Sequence, residues 1–286
     1  MAFKGQPKGH HEPYWDVINR IIIESDIVIE VLDGRLVQLS RNEEIERLVK
    51  LNNRPLIFVI NKSDLVNPQS LQKQVAELKK EGEVVFVSSK DRRTTKVLMY
   101  TIKKIFKIYG KRAPSVFKKD GPKSTFRETK AGMVIGLVGY PNVGKSSVIN
   151  ALAHKTKAKV SKKAGTTHGI HWIRVNDEIK LVDSPGVIPL GYENELRYGL
   201  IGAKDIERLQ NPYVVAEAII DLFMKTNKPA FERFYDVQIN EGEEDYDSVV
   251  NKIGERKRFL LKGNRIDENR VGILIVKDWQ DGKLML

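Results

Sequence analysis

Apolar and polar positions alternate in blocks along the first third of the chain. Helical spacing over residues 13–25 gives way to a nearly continuous apolar run at 26–32. A second helical block at 42–51 precedes the run 55–60, and a third at 68–81 precedes 84–87, with a further helix expected at 94–109. Short apolar runs separated by helical blocks predict buried strands of a mostly parallel sheet with helices on both faces. The pattern then breaks. Residues 110–130 hold Gly110, Pro114, Gly121 and Pro122 among many lysines and arginines, which reads as a surface linker. Strand patterns return at 133–138, 170–175 and 179–182. Beyond residue 190 only helical periodicity remains, at 194–203, 212–224, 229–234, 245–254 and 266–278. The expected organisation is therefore an α/β domain over residues 1–190 followed by a smaller all-α domain over 191–286.

The polar residues that end the strands carry the chemistry. Gly139-Tyr140-Pro141-Asn142-Val143-Gly144-Lys145-Ser146 follows an apolar strand and opens a helix, which is the G-x-x-x-x-G-K-S spacing of a phosphate-binding P-loop. Gly139 and Gly144 permit backbone angles that turn successive amides inward, and the helix N-terminus adds positive potential. Lys145 can reach the β- and γ-phosphates and the Ser146 hydroxyl can ligate Mg²⁺. Asn142, Val143 and Ser147 complete the expected cradle. This spacing predicts a nucleoside triphosphate site.

Asn61-Lys62-Ser63-Asp64 ends the second strand, and Ser88-Ser89-Lys90 ends the third. A carboxylate at Asp64 can accept from both N1–H and the N2 amino group of guanine, a donor pair that adenine lacks. Asn61 can bond N7 while bracing the P-loop, the Lys62 stem can lie across the base, and the Ser89 amide can meet O6 beside Lys90. The predicted nucleotide is GTP or GDP. Asp183-Ser184-Pro185-Gly186 ends another strand; Asp183 and Thr167 are candidate Mg²⁺ groups, and the Gly186 amide can bond a γ-phosphate. Loops that gain partners from a γ-phosphate and lose them after hydrolysis make a switch.

Composition narrows the partners. The 286 residues contain no cysteine, so a disulfide framework or thiolate metal site is excluded and a reducing, cytoplasmic setting is expected. No stretch reads as a signal peptide or membrane span. A net charge of +12 points to a polyanion, and nucleic acid fits better than a membrane. The basic runs at 111–130 and 155–163 are candidate RNA contacts, as is a basic face built from Arg256, Lys257, Arg258, Lys262, Arg265 and Arg270; plain solvation is the alternative for each.

The base-reading motifs precede the P-loop, the reverse of their order in Ras-like proteins. In this order the chain resembles the circularly permuted GTPases of the YlqF/RbgA group. The resemblance rests on Gly9-His10, Asp33-Gly34-Arg35, Ser40-Arg41-Asn42, residues 139–147, Gly165-Thr166-Thr167, residues 183–186 and Ile253-Gly254-Glu255-Arg256-Lys257. Departures are Gly34 where the group usually has Ala, a missing Pro after Arg35, and Ala164 in place of a Pro. The resemblance implies a GTPase acting in large ribosomal subunit assembly, contacting rRNA and monomeric when free. A scaffold using GTP without much turnover is the alternative. The residue after Gly186 is Val187, which cannot orient water. Two groups are therefore candidates to complete the catalytic site. Asn142 resembles the asparagine with which related GTPases hold potassium, and His10 matches a histidine proposed to position water in this group.

Overall fold

The computed structural model describes residues 12–88, 90–111, 132–153, 171–184 and 195–286, with side chains omitted at residues 12–14 and 171. His10, Ser89, Thr167 and Gly186 lie outside the described residues, as do the basic run at 155–163 and all of 111–130 but residue 111.

Among the described residues, α1 (Glu12–Glu24) leads into β1 (Ile27–Asp33), which with β2 (Leu56–Asn61), β3 (Glu83–Phe86), β4 (Met133–Val138), β5 (His171–Arg174) and β6 (Ile179–Asp183) forms one sheet in the order β3-β2-β1-β4-β6-β5. All neighbours are parallel except β5, which pairs antiparallel with β6 at the edge. The alternation of β2 explains the two covered faces. Ile57 and Val59 enter one apolar cluster, with Leu98, Ile102 and Ile105 of α6 (Arg92–Tyr109) among its members. Phe58 and Ile60 enter the other, beside Leu71, Val75 and Leu78.

A single helix expected at 68–81 is two: α4 (Pro68–Val75) and α5 (Leu78–Glu81). The Gln74 carbonyl, which would continue the helix, instead accepts from Gln38 Nε2 at 2.9 Å, and Gln74 Oε1 accepts from the Val37 amide at 3.1 Å. Between β1 and β2 the chain forms α2 (Val37–Ser40) and α3 (Glu43–Leu51). Here Ser40-Arg41-Asn42 has a structural purpose. Ser40 Oγ accepts from the Asp33 amide at 3.0 Å, and Asn42 caps α3 through the Ile45 amide. The buried Glu30 carboxylate, whose pKa is raised by burial, takes the Asn42 amide at 2.8 Å.

The last third is helical: α8 (Glu195–Leu200), α9 (Pro212–Thr226), α10 (Lys228–Tyr235), α11 (Tyr246–Lys257) and α12 (Glu268–Gln280). Val215, Ile219, Phe223, Phe231, Val249, Ile253, Val271, Ile275 and Trp279 form a separate core. Gly254 of the sequence motif lies against Ile266; a Cβ there would come within 2.4 Å of its Cγ2, so only glycine lets that loop close onto α11.

Candidate functional site

The C-terminal ends of β1, β2, β3, β4 and β6 lie on one edge of the sheet, and that edge gathers Asp33, Asn61–Asp64, Ser88, the loop after Val138 and Asp183. Ligands of open parallel sheets bind at this edge. Register makes the gathering close: Asp33 is abreast of Asn61, and Leu137 is abreast of Asp183.

The loop between β4 and α7 (Lys145–Ala153) is a cradle that side chains would fill. Gly139 has φ +135 and Gly144 φ +102, and a Cβ on Gly139 would sit 2.5 Å from the Val31 carbonyl. A Cβ on Gly144 would fall 2.0 Å from Asn61 Nδ2, which donates to the Val143 carbonyl at 2.8 Å. Asn61 thus braces the loop, as expected. Its Oδ1 is buried without a hydrogen-bond partner among the described residues, a polar atom suited to a ligand. Lys145 is buried, with Nζ 2.7 Å from the Gly139 carbonyl and 2.9 Å from that of Tyr140. Burial lowers its pKa to about 8, opposed by the Asp183 charge. An ammonium held by its own loop's carbonyls can exchange them for phosphate oxygens.

At the neighbouring strand end Asp64 is about one-third exposed. Its carboxylate lies 3.0 Å from Lys90 Nζ. Burial raises its pKa, but hydrogen bonds from Lys90 and Ser88 outweigh this and keep it below the ordinary value. It is therefore an ionised acceptor. Ser88 itself is buried, its Oγ accepting from the Lys90 amide at 3.2 Å. The Ser63 amide donates to the Val87 carbonyl at 3.2 Å, tying the polar segments that follow β2 and β3 together.

Ser146 lies in the first turn of α7 and Asp183 ends β6, two elements that pack together. Among the described residues no cluster of three or more His, Asp or Glu could hold a metal unaided. A hydroxyl and a carboxylate flanking a phosphate cradle fit the oxygen preference of Mg²⁺, which keeps waters and takes ligands from the nucleotide. Asn142, at φ +59, donates from Nδ2 to the Gly202 carbonyl at 2.8 Å and to Asp205 Oδ1 at 3.2 Å, so the P-loop touches the C-terminal helical region.

Comparison with known proteins agrees with this arrangement. A family model described as 50S ribosome-binding GTPase matches residues 134–256. Ribosome biogenesis GTPase A of Bacillus cereus is 30% identical over 266 residues, covering 91% of this chain and 84% of its own. The chain belongs to the YlqF/RbgA family of circularly permuted GTPases. An uncharacterized GTP-binding protein of Methanocaldococcus jannaschii is 37% identical over 272 residues, which is 95% of this chain and 66% of that protein. Nucleotide-bound YlqF from T. maritima shares the fold, with a TM-score of 0.59 at 20% identity over 96% of this chain and 95% of that one. The chain spans 66% of the archaeal relative and about half of the plant nucleolar GTPases it also matches.

Two features of the family motifs had no assigned role in the sequence. Asp33 and Arg35 form a buried ion pair, Nη2 to Oδ2 at 2.8 Å, and Lys62 Nζ joins the same Oδ2 at 2.8 Å. Burial raises the Asp33 pKa, but the two cations reverse this and hold the carboxyl well below the usual range. Gly34, where the family usually has Ala, sits under the Asn61 carbonyl; a Cβ would approach it to 2.9 Å. The signal available in the sequence was an acid and an arginine straddling a glycine at the end of an apolar strand.

Proposed function

We propose that the protein is a GTP-binding and GTP-hydrolysing factor of large ribosomal subunit assembly whose docking follows its nucleotide state. The observation that carries this reading is the convergence on one sheet edge of a guanine-selective carboxylate, a phosphate cradle with its lysine, and a strand-end aspartate. Each has the chemistry for one part of a Mg²⁺-bound guanine nucleotide. The names of the bacterial relatives, Ribosome biogenesis GTPase A, support the ribosomal partner.

In this reading residues 1–190 are the GTPase domain and 191–286 the helical domain. Asn61, Lys62, Asp64, Ser88, Ser89 and Lys90 read the base. Gly139, Asn142–Ser147 and Lys145 in particular hold the phosphates, and Ser146, Thr167 and Asp183 hold Mg²⁺ with the nucleotide. Mg²⁺ bound there would supply positive charge to the transferring phosphoryl group, and the Gly186 amide would sense the γ-phosphate. The decisive measurement is multiple-turnover phosphate release from GTP and ATP, with and without purified large ribosomal subunits. Hydrolysis confined to GTP and raised by subunits supports the proposal. Tight GTP binding with no turnover in either condition would favour the scaffold alternative.

The RNA partner is supported by α6. Arg92, Arg93, Lys96, Lys103, Lys104 and Lys107 lie along it without one acidic residue, interleaved with Val97, Tyr100 and Ile108, all more than half exposed. Tyr100 offers a stacking face and the cations neutralise phosphates. Lys103 and Lys104 are shared with Glu178 and Glu83, whereas Lys96 and Lys107 are exposed. Replacing Lys96, Lys107 and Lys111 with Gln should flatten the salt dependence of subunit binding by roughly 0.7–0.9 in log–log slope for each phosphate that is no longer neutralised. An unchanged slope, measured by sedimentation over a salt series, returns these lysines to solvent.

Asn142 and His10 are the proposed completions of the catalytic site, Asn142 through potassium. Potassium should raise turnover above that in sodium, and Asn142→Ala should remove the difference while GDP affinity stays within several-fold. Equal turnover of the unsubstituted protein in the two salts would end the potassium assignment.

A further inference from the structure

The loop that reads the base is held from the far end of the chain. Lys62 sits at φ +58, a left-handed angle costly for a side chain that bears a Cβ, so its neighbours must hold it there. Its ammonium is fixed by Asp33 Oδ2. Asp33 Oδ1 in turn accepts from the Arg35 amide and from Arg35 Nε, both at 3.0 Å. The Arg35 side chain is fully buried. Its guanidinium lies 4.1 Å from the centroid of the Trp279 ring, and Nη1 donates to the Trp279 carbonyl on α12. Trp279 Nε1 continues the line to the Leu200 carbonyl of α8 at 2.6 Å.

A second tie is independent of these side chains. The Leu286 amide donates to the Leu65 carbonyl at 2.9 Å, and the Asn67 amide donates to the Leu286 carbonyl at 3.1 Å. The segment just after Asp64 is thus paired, strand-like, with residue 286. Gly282 completes the contact: a Cβ there would lie 3.1 Å from Leu65 Cδ1. Lys62 through Asn67 is clamped at its start by Asp33, Arg35 and Trp279, and at its end by Leu286.

We propose that Asp33 and Arg35 are positioning residues for guanine recognition, and that α12 with the segment to Leu286 holds the base-reading loop in its binding geometry. Base binding and docking of the helical domain are then coupled, and by linkage each strengthens the other by the same factor. This route is separate from the switch that ends at Gly186, because it starts at the base and needs no γ-phosphate. GDP and GTP should engage it equally. The inference rests on the guanine-site reading above.

The test separates base from phosphate. Hydrogen exchange of the full chain is followed without ligand, with GDP, and with inorganic tripolyphosphate, which can fill the P-loop but has no base. GDP should slow exchange at Leu65, Asn67 and Leu286, and tripolyphosphate should not. Two variants probe the clamps: Asp33→Asn loosens Lys62, and Leu286→Pro removes the amide donor to Leu65 together with a side chain that packs on the helical core. Asp33→Asn should weaken GDP at least tenfold and Leu286→Pro several-fold, each leaving tripolyphosphate affinity unchanged. A purely structural role would instead weaken both ligands together, and that outcome overturns the proposal. It is also overturned if GDP binds but exchange at these amides does not respond, a measurement that needs no variant to fold. Failure of the unsubstituted protein to bind GDP at all would overturn the guanine reading itself.

Discussion

An Asp64→Asn variant should exchange its preference for GTP for one towards xanthosine triphosphate, with the ratio of affinities shifting on the order of 10⁴-fold. The magnitude follows from what the carboxylate would face in the proposed base site. Guanine presents N1–H and an N2 amino group, two donors that a carboxylate satisfies at once. An amide can accept only one of them and sets its own N–H against the other. Xanthine replaces that amino group with a carbonyl, which the amide nitrogen can bond. Asp64 is suited to the ionised acceptor's role before any base arrives, because Lys90 at 3.0 Å and Ser88 hold its pKa down. The same partners remain to orient the amide of the variant. Competition between the two triphosphates for one labelled nucleotide reads the ratio directly. An unaltered preference in a folded variant would remove Asp64 from the base site.

Much of this site was legible in the sequence for a local reason. The P-loop, Asn61–Asp64 and Asp183 are each the polar stop of an apolar strand, so period and punctuation along a few residues locate them. Parallel pairing then brings the stops to one edge. The permuted order did not obscure this, since a sheet edge is indifferent to which strand the chain visits first. What could not be read was long-range. Arg35 and Trp279 are 244 residues apart, and nothing in either neighbourhood marks the other. Arg35 read as one letter of a family motif, and Trp279 lay just past the last expected helix, 266–278, with no assigned role. The break between α4 and α5 was hidden for the same reason: residues 68–81 keep helical spacing throughout, and it is Gln38, from another element, that claims the Gln74 carbonyl. Ser40 and Asn42 belong with these. Asn42 was already within an expected helix start, but its tie to a charged residue inside β1 depends on Glu30 being buried.

Raising the pH above 8 should weaken triphosphate binding about tenfold per pH unit, and Lys145→Met should abolish that dependence. Burial depresses the Lys145 pKa to about 8 in the nucleotide-free protein, so above that pH the side chain is increasingly neutral. Phosphate oxygens favour the ammonium, so binding must then take up a proton, and each further pH unit costs the nucleotide a factor of ten. The effect on the empty fold has the opposite sign. A lysine whose folded pKa lies below its unfolded value near 10.5 loses a proton on folding between those limits. Its contribution to stability therefore rises as pH increases from about 8 to 10.5 and is least favourable below 8. Nucleotide-induced stabilisation should shrink over the same interval in which this residue's burden on the empty protein is relieved. At pH 7 Lys145→Met should lose affinity by roughly 10²-fold, the value of charge-assisted hydrogen bonds that the thioether cannot make. Titration calorimetry at several pH values in buffers of different ionisation enthalpy measures both the affinity and the protons taken up. Proton uptake near zero at pH 9 in the unsubstituted protein would mean that Lys145 stays charged in the empty cradle, and the pH dependence would have to be assigned elsewhere.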